Sequence, residues 1–388
     1  MPFSTSCHAS YITEIAILST LPSTVRKLLM NIGLQSSKFG PFTPMTKSVE
    51  NHGTIKRFRL DLVDIFMFLA ENNMLDTTDN SIADCQADIL KAVGAIETII
   101  LGKPNQIRLA ACCLIARGHC LIEDLPGVGK TTLSQSIARV FGLHFQRIQF
   151  TSDLLPADIL GVSIFDAEKQ VFKFHPGPVF AHFVLADEIN RATPKTQSAL
   201  LEAMEERQIT VEGSTYPLDE PFFVVGTQNP LDQSGTFPLP ESELDRFMMR
   251  ITLGYPDQEA ERALLAGGNP RARLYEVKPA VSIERFIEIQ ATVDKIHCSE
   301  PLLHYVQDLI QATRNPGLFV YGISPRAGLA VIQASKAWAL MDGRGHVEPG
   351  DVQAVFAAIA DHRLTASEQH SRPTSELIND LLEQTPIP

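Results

Sequence analysis

Nine consecutive residues carry the clearest chemistry in the chain: Asp124-Leu125-Pro126-Gly127-Val128-Gly129-Lys130-Thr131-Thr132. Two residues without side chains let backbone N–H groups curl around phosphate oxygens. Lys130 brings a point charge to β- and γ-phosphates, and Thr131 offers a hydroxyl to Mg²⁺. A helix beginning at Lys130 adds the positive end of its dipole. Pro126, Gly127, Val128, Gly129, Lys130, Thr131 and Thr132 are therefore candidate nucleotide-binding residues. Asp124 stands where the pattern has glycine, and its carboxylate must point away from the phosphates or repel them. The blander alternative is a glycine-rich turn capping a structural helix.

A second constellation lies 57 residues after Lys130. His182-Phe-Val-Leu-Ala-Asp187-Glu188 reads as a buried strand ending in two acids. Asp187 is placed to hold Mg²⁺, usually through its water, and Glu188 to polarise an attacking water. The stretch Phe222–Thr227 runs on into Gln228-Asn229-Pro230, so Asn229 is a polar tip that could position the same water; by itself Asn229-Pro230 reads as a turn. An acidic pair ending a strand is common on a solvated surface, but its spacing from a phosphate loop favours catalysis.

The elements that must position these groups alternate. Cys120–Ile122, Arg147–Phe150, Phe183–Ala186, Phe222–Thr227 and Met248–Thr252 read as strands. Helical spacing fills Ala83–Leu101, Ile107–Ala116 and Lys130–Phe141. This order predicts an α/β domain with a five-stranded parallel sheet covered on both faces. Two stretches with period two, Val162–Phe174 and Gln208–Leu218, read as hairpins. After about residue 257 only helical periods follow, at 282–294, 300–313, 324–341 and 350–360. Ser324-Pro325 looks like an N-cap with proline in the first turn. The predicted organisation is an N-terminal extension over 1–80, an α/β domain over 81–257, a small all-α lid over 272–365 and a tail over 366–388.

Composition narrows the function classes. Hydrophobic residues make up 44% and charged residues 20% of 388, values usual for a globular protein. The net charge is −12, with +5 in residues 1–60 and −17 in the remainder. Such acidity argues against coating nucleic acid. No stretch of 18 apolar residues predicts a membrane span, no signal peptide is evident, and six cysteines without CxxC fit a reducing, cytoplasmic setting. Cys112, Cys113, His119 and Cys120 crowd near the phosphate loop and read as packing residues. Residues 1–60 read as a poorly ordered tail with a short helix possible at 60–70; an equal alternative is that translation starts near Met74.

Taken together the motifs resemble the AAA+ superfamily, and within it the MoxR family, over about residues 83–365. The resemblance rests on Glu123–Leu133, Arg147-Ile-Gln-Phe-Thr-Ser-Asp-Leu-Leu-Pro156, Gly177-Pro-Val-Phe180, Ala186-Asp-Glu-Ile-Asn-Arg-Ala192, Lys195–Glu206, Gly226-Thr-Gln-Asn-Pro230, Phe237-Pro-Leu-Pro-Glu241, Leu244-Asp-Arg-Phe247 and Ser324-Pro-Arg326. It implies an AAA+ P-loop NTPase with a helical lid, hydrolysing ATP with Mg²⁺. Asn229 is similar to the sensor-1 residue, and Arg326 to a sensor-2 arginine reaching the γ-phosphate from the lid. Arg246 resembles the arginine finger that reaches a neighbouring subunit, with Arg191 as rival. The implied assembly is a homo-oligomeric ring, usually a hexamer. ATP between large domain and lid would close the cleft, and hydrolysis would relax it. Both hairpins would face a pore or a client. The family context is chaperone-like maturation of protein complexes, often metal-cofactor enzymes, with a von Willebrand factor A domain partner. A magnesium- or cobalt-chelatase ATPase subunit and a nucleotide-gated, non-hydrolysing scaffold are the alternatives; a DNA helicase fits the charge poorly.

Overall fold

The structure, a computed structural model of the chain, describes residues 76–230, 235–267, 270–315, 317–367 and 372–388. The possible helix at 60–70, the start near Met74 and the extension up to residue 75 lie outside the described residues. In chain order the elements are α1 (Asp76–Glu97), α2 (Pro104–Ile115), β1 (Cys120–Glu123), α3 (Lys130–Val140), β2 (Phe145–Gln149), α4 (Pro156–Leu160), β3 (Gly161–Asp166), β4 (Val171–Pro176), β5 (Phe183–Asp187) and α5 (Pro194–Glu206). There follow β6 (Gln208–Val211), β7 (Ser214–Pro217), β8 (Phe223–Gln228), α6 (Glu241–Leu244), β9 (Met249–Ile251), α7 (Gln258–Leu265), α8 (Pro270–Glu276), α9 (Ile283–Val293), α10 (Glu300–Thr313), α11 (Pro325–Met341), α12 (Pro349–Ala360) and α13 (Thr374–Gln384).

Among the described residues the main sheet has five strands in the order β2-β5-β8-β1-β9, and every pairing is parallel. Alternate side chains explain why it is buried on both faces. Cys120, Ile122, Phe183, Leu185, Phe223 and Val225 enter one apolar cluster; Leu121, Val184, Ala186 and Val224 enter the other. Such runs are apolar at consecutive positions because helices cover both sides. The first cluster continues into the helical region, where Phe286, Tyr305, Val331 and Phe356 are buried within it. The α/β and helical parts thus share one core.

Two antiparallel hairpins stand outside the sheet, β3–β4 and β6–β7, at the stretches expected from their period. The Phe174 ring stacks on Tyr216 with centroids 4.1 Å apart, which ties the hairpins together. Val162, Ile164, Phe165, Val171 and Phe172 of the first are exposed. Ser324 caps α11 through Ala327 N–H at 3.1 Å with Pro325 in the first turn, as the sequence predicts. Residues 366–388, expected as a tail, instead contain α13, whose Leu377, Ile378 and Leu381 are buried. Its short apolar stripe has hydrophobic partners on α10 and α12 that local sequence does not reveal. No helix among the described residues is long and apolar enough to cross a membrane.

The crowded thiols are core residues. Cys112, Cys113 and Cys120 are free and buried, and burial pushes the Cys113 thiol up. Among the described residues no group of three His, Cys, Asp or Glu side chains could hold a metal ion. His119 lies between β1 and α5. Its Nδ1 accepts Val224 N–H at 3.0 Å, and Nε2 lies 3.2 Å from the Met204 carbonyl. That pairing fixes the neutral ring with its proton on Nε2, and burial lowers its pKa to about 4.

Linkage gives the sign. The unfolded chain binds a proton at His119 below about pH 6.5 and the folded chain does not until about 4, so stability falls as pH drops through that window. The expected loss from His119 is about 3 kcal/mol. Denaturant unfolding across pH 4–7 should show a slope that His119→Asn reduces; an equal slope in the variant would contradict the assignment.

Candidate nucleotide site

The parallel sheet gathers its chemistry at one edge. β1, β5 and β8 end at Glu123, Asp187 and Gln228, and β8 pairs Gln228 with Glu123 on one side and Gly226 with Ala186 on the other. Neighbouring strands lie about 4.8 Å apart, so the loop after β1 and the acids ending β5 fall within about 10 Å of each other. Gly127 and Gly129 take φ of +86° and +100°, and a Cβ at either would meet open space. Left-handed backbone there is cheap only for glycine. Gly129 is the N-cap of α3, without a side-chain cap, so the first-turn N–H groups face the loop.

Lys130 Nζ donates to the carbonyls of Asp124 at 2.5 Å and Gln228 at 3.3 Å. Partial burial lowers its pKa, opposed by the charges of Asp124, Asp187 and Glu188. The Asp124 side chain points away from the loop interior, as the repulsion argument requires. It accepts Leu125 N–H at 2.7 Å and Gly254 N–H at 2.6 Å, tying the loop's start to the segment after β9.

The two acids are held by residues that sequence reasoning left without a role. The Thr227 hydroxyl, fully buried, donates to Asp187 Oδ1 at 2.6 Å and accepts Glu188 N–H at 2.9 Å. Glu188 needs that anchor because its φ of +57° is unfavourable for a side-chain-bearing residue. From the edge strand β2, Arg147 donates to Asp187 Oδ2 at 2.6 and 3.0 Å and to Gln149 Oε1 at 2.7 Å. Gln149 Nε2 donates in turn to Glu188 Oε2 at 2.9 Å. Arg191 also pairs with Glu188, at 3.2 Å. The available signal was two polar residues at i and i+2 on a strand, which share a face, beside the strand that carries the acids.

Thr131 and Asp187 offer hard oxygen ligands of the kind Mg²⁺ takes when substrate phosphates supply the rest. With the open glycine turn and Lys130 they fit a Mg–nucleotide. Asn229 follows Gln228 at the same sheet edge and is half-buried.

The two remaining arginines lie elsewhere. Arg246 Nε and Arg326 Nη1 both pair with Glu205, at 3.2 and 3.1 Å. They line a cleft of about 310 Å³ with Gly118, His119 and Met248, residues that precede β1 and β9. This is the N-terminal edge of the parallel sheet. β1, four residues and roughly 10 Å long, separates it from the phosphate loop. The structure therefore does not bring Arg326 beside this chain's own loop, as a lid arginine acting within one chain would need. Arg363, almost fully buried, fixes the turn that carries Arg246 through Asp245 Oδ1 at 2.6 Å and the carbonyls of Asp245 and Phe247.

Residues 119–249 match the ATPase family associated with various cellular activities, and residues 311–383 match the AAA lid domain. An uncharacterised protein of Bacillus subtilis, YeaC, is 43% identical over 71% of this chain and 86% of its own length. The chaperone MoxR1 of Mycobacterium tuberculosis is 39% identical over 71% and 74%. Protein MoxR of Paracoccus denitrificans is 32% identical over 79% and 96%. A crystal structure described as that of an ATPase from Cytophaga hutchinsonii superposes with a TM-score of 0.74 at 35% identity, covering 81% of this chain and 99% of the other.

Asp124 gives the site a stability test. Replacing it with glycine matches the common loop pattern but removes both of its hydrogen bonds, so Asp124→Gly should lower unfolding free energy by about 2 kcal/mol. Denaturant titration measures it; a stability at or above that of the wild type would overturn the role given to the carboxylate.

Proposed function

The chain belongs to the MoxR family of AAA+ ATPases, and from that premise we propose that it binds ATP with Mg²⁺ and hydrolyses it within a ring of identical subunits, to remodel a client protein. The observation that supports this most is the gathering of Lys130, Asp187 and Glu188 at one end of the sheet beside an open glycine turn. Loop N–H groups and Lys130 bind and orient the phosphates. Thr131 and Asp187 would hold the metal, whose charge would neutralise the phosphate oxygens. Glu188 orients and deprotonates water, aided by Asn229. Thr227 keeps both acids at their angles.

Arg246 and Arg326 act on the nucleotide of the neighbouring subunit. Their shared place at the sheet edge opposite the loop motivates this reading, since neither can serve its own chain from there. A planar, permanently charged guanidinium suits a γ-phosphate. Such action in trans needs a closed ring, for which we propose a hexamer. The exposed apolar residues of β3–β4 contact the client. A partner with a von Willebrand factor A domain, a role in maturing metal-cofactor enzymes and a cytoplasmic location complete the reading.

Glu188→Gln should reduce phosphate release by at least about 100-fold while a fluorescent ATP analogue still binds; undiminished release overturns the water-activating role. Mixing supplies a second check. Glu188→Gln keeps the arginines, and Arg246→Ala keeps the acids, so the two inactive variants combined should recover measurable turnover at mixed interfaces. A mixture no more active than its parts would refute action in trans.

A further inference from the structure

Arg147 is placed to compete with the cation that Asp187 would hold. Both carboxylate oxygens of Asp187 are engaged: Oδ1 by the Thr227 hydroxyl, and Oδ2 by Nε and Nη2 of Arg147. The Asp187 side chain is only 10% exposed, and that of Arg147 is 47% exposed. A carboxylate so far removed from water needs a positive partner. Two cations on one carboxylate repel each other at contact distance. A metal ion on Oδ2 would therefore have to compete with the guanidinium.

We propose that Arg147 is a positioning residue that competes with Mg²⁺ for Asp187 and sets how much Mg²⁺ nucleotide binding requires. This rests on the reading that Asp187 and Thr131 hold Mg²⁺ beside ATP. Its surroundings make release of Arg147 easy. The side chain is half in solvent and keeps a second partner, Gln149 Oε1 at 2.7 Å, so letting go of Asp187 leaves no buried charge behind. Thr227 is different: it is fully buried, and its hydroxyl stays on Oδ1 through the exchange. The guanidinium thus swaps while the hydroxyl holds the carboxylate's angle. The same strand engages the other acid through Gln149 and Glu188, so displacement of Arg147 disturbs the contact that restrains the water-orienting residue.

The test uses the full chain and a fluorescent ATP analogue, titrated at a series of free Mg²⁺ concentrations and in EDTA. Arg147→Met keeps the aliphatic stem and removes the charge. It should lower the Mg²⁺ needed for half-maximal enhancement of binding by about tenfold, the weight of one charge-assisted hydrogen bond. Affinity in EDTA should stay within about twofold of wild type, which also reports a folded site. Arg147→Lys, retaining a charge but not the two-point contact, should shift the requirement in the same direction by less. An unchanged requirement in both variants overturns the proposal. So does a raised one, which would mean that Arg147 holds Asp187 in place for the metal. If the wild type binds the analogue equally with and without Mg²⁺, or not at all, the reading of the metal site itself fails and this inference with it.

Discussion

A carboxylate pair at the end of a buried strand cannot stand without partners, and the architecture around Asp187 and Glu188 follows from that constraint. β5 is buried along its whole length, so its last residue and the next emerge where water is scarce. Their charge is answered by the Lys130 ammonium from the loop after β1, the Thr227 hydroxyl from β8, the Arg147–Gln149 pair from β2 and Arg191 just beyond β5. Each partner comes from a different element, and only a parallel sheet sets all of their ends at one edge. The strand order β2-β5-β8-β1-β9 places the acids of β5 between the Arg147–Gln149 pair of β2 and Thr227 of β8, with the Lys130 loop one strand further on.

The opposite edge of the same sheet is equally specialised. There Glu205 holds Arg246 and Arg326 side by side, and Arg363 secures the turn between them and the core. A parallel sheet has two chemically distinct ends. In this chain one collects acids and a glycine-rich turn, the other collects arginines with Glu205 between two of them.

Much of this was legible in the residues. The five strands, both hairpins and the helix starts at Lys130 and Ser324 could be read because period, glycine and capping chemistry are local signals. The turned-away Asp124 followed from charge repulsion alone. What escaped depends on pairing between distant segments. Thr227 looks like any threonine ending a strand until β8 is set beside β5. Arg147 and Gln149 look like ordinary edge-strand polar residues until β2 is paired with the acids. The helix Thr374–Gln384 has too short an apolar stripe to announce itself, and is buried only because α10 and α12 offer it a surface. The edge occupied by Arg326 depends on how the helical part docks, and a motif at a helix start carries no information about that.

The core shared by the sheet and the helices has a mechanical corollary. Phe286, Tyr305, Val331 and Phe356 belong to the same cluster as Phe183, Phe223 and Val225. Opening a hinge between the two parts would tear apolar surface into water at roughly 25 cal/mol for every Å² exposed. The sheet and the helices are therefore coupled mechanically, and a displacement imposed on one is passed to the other.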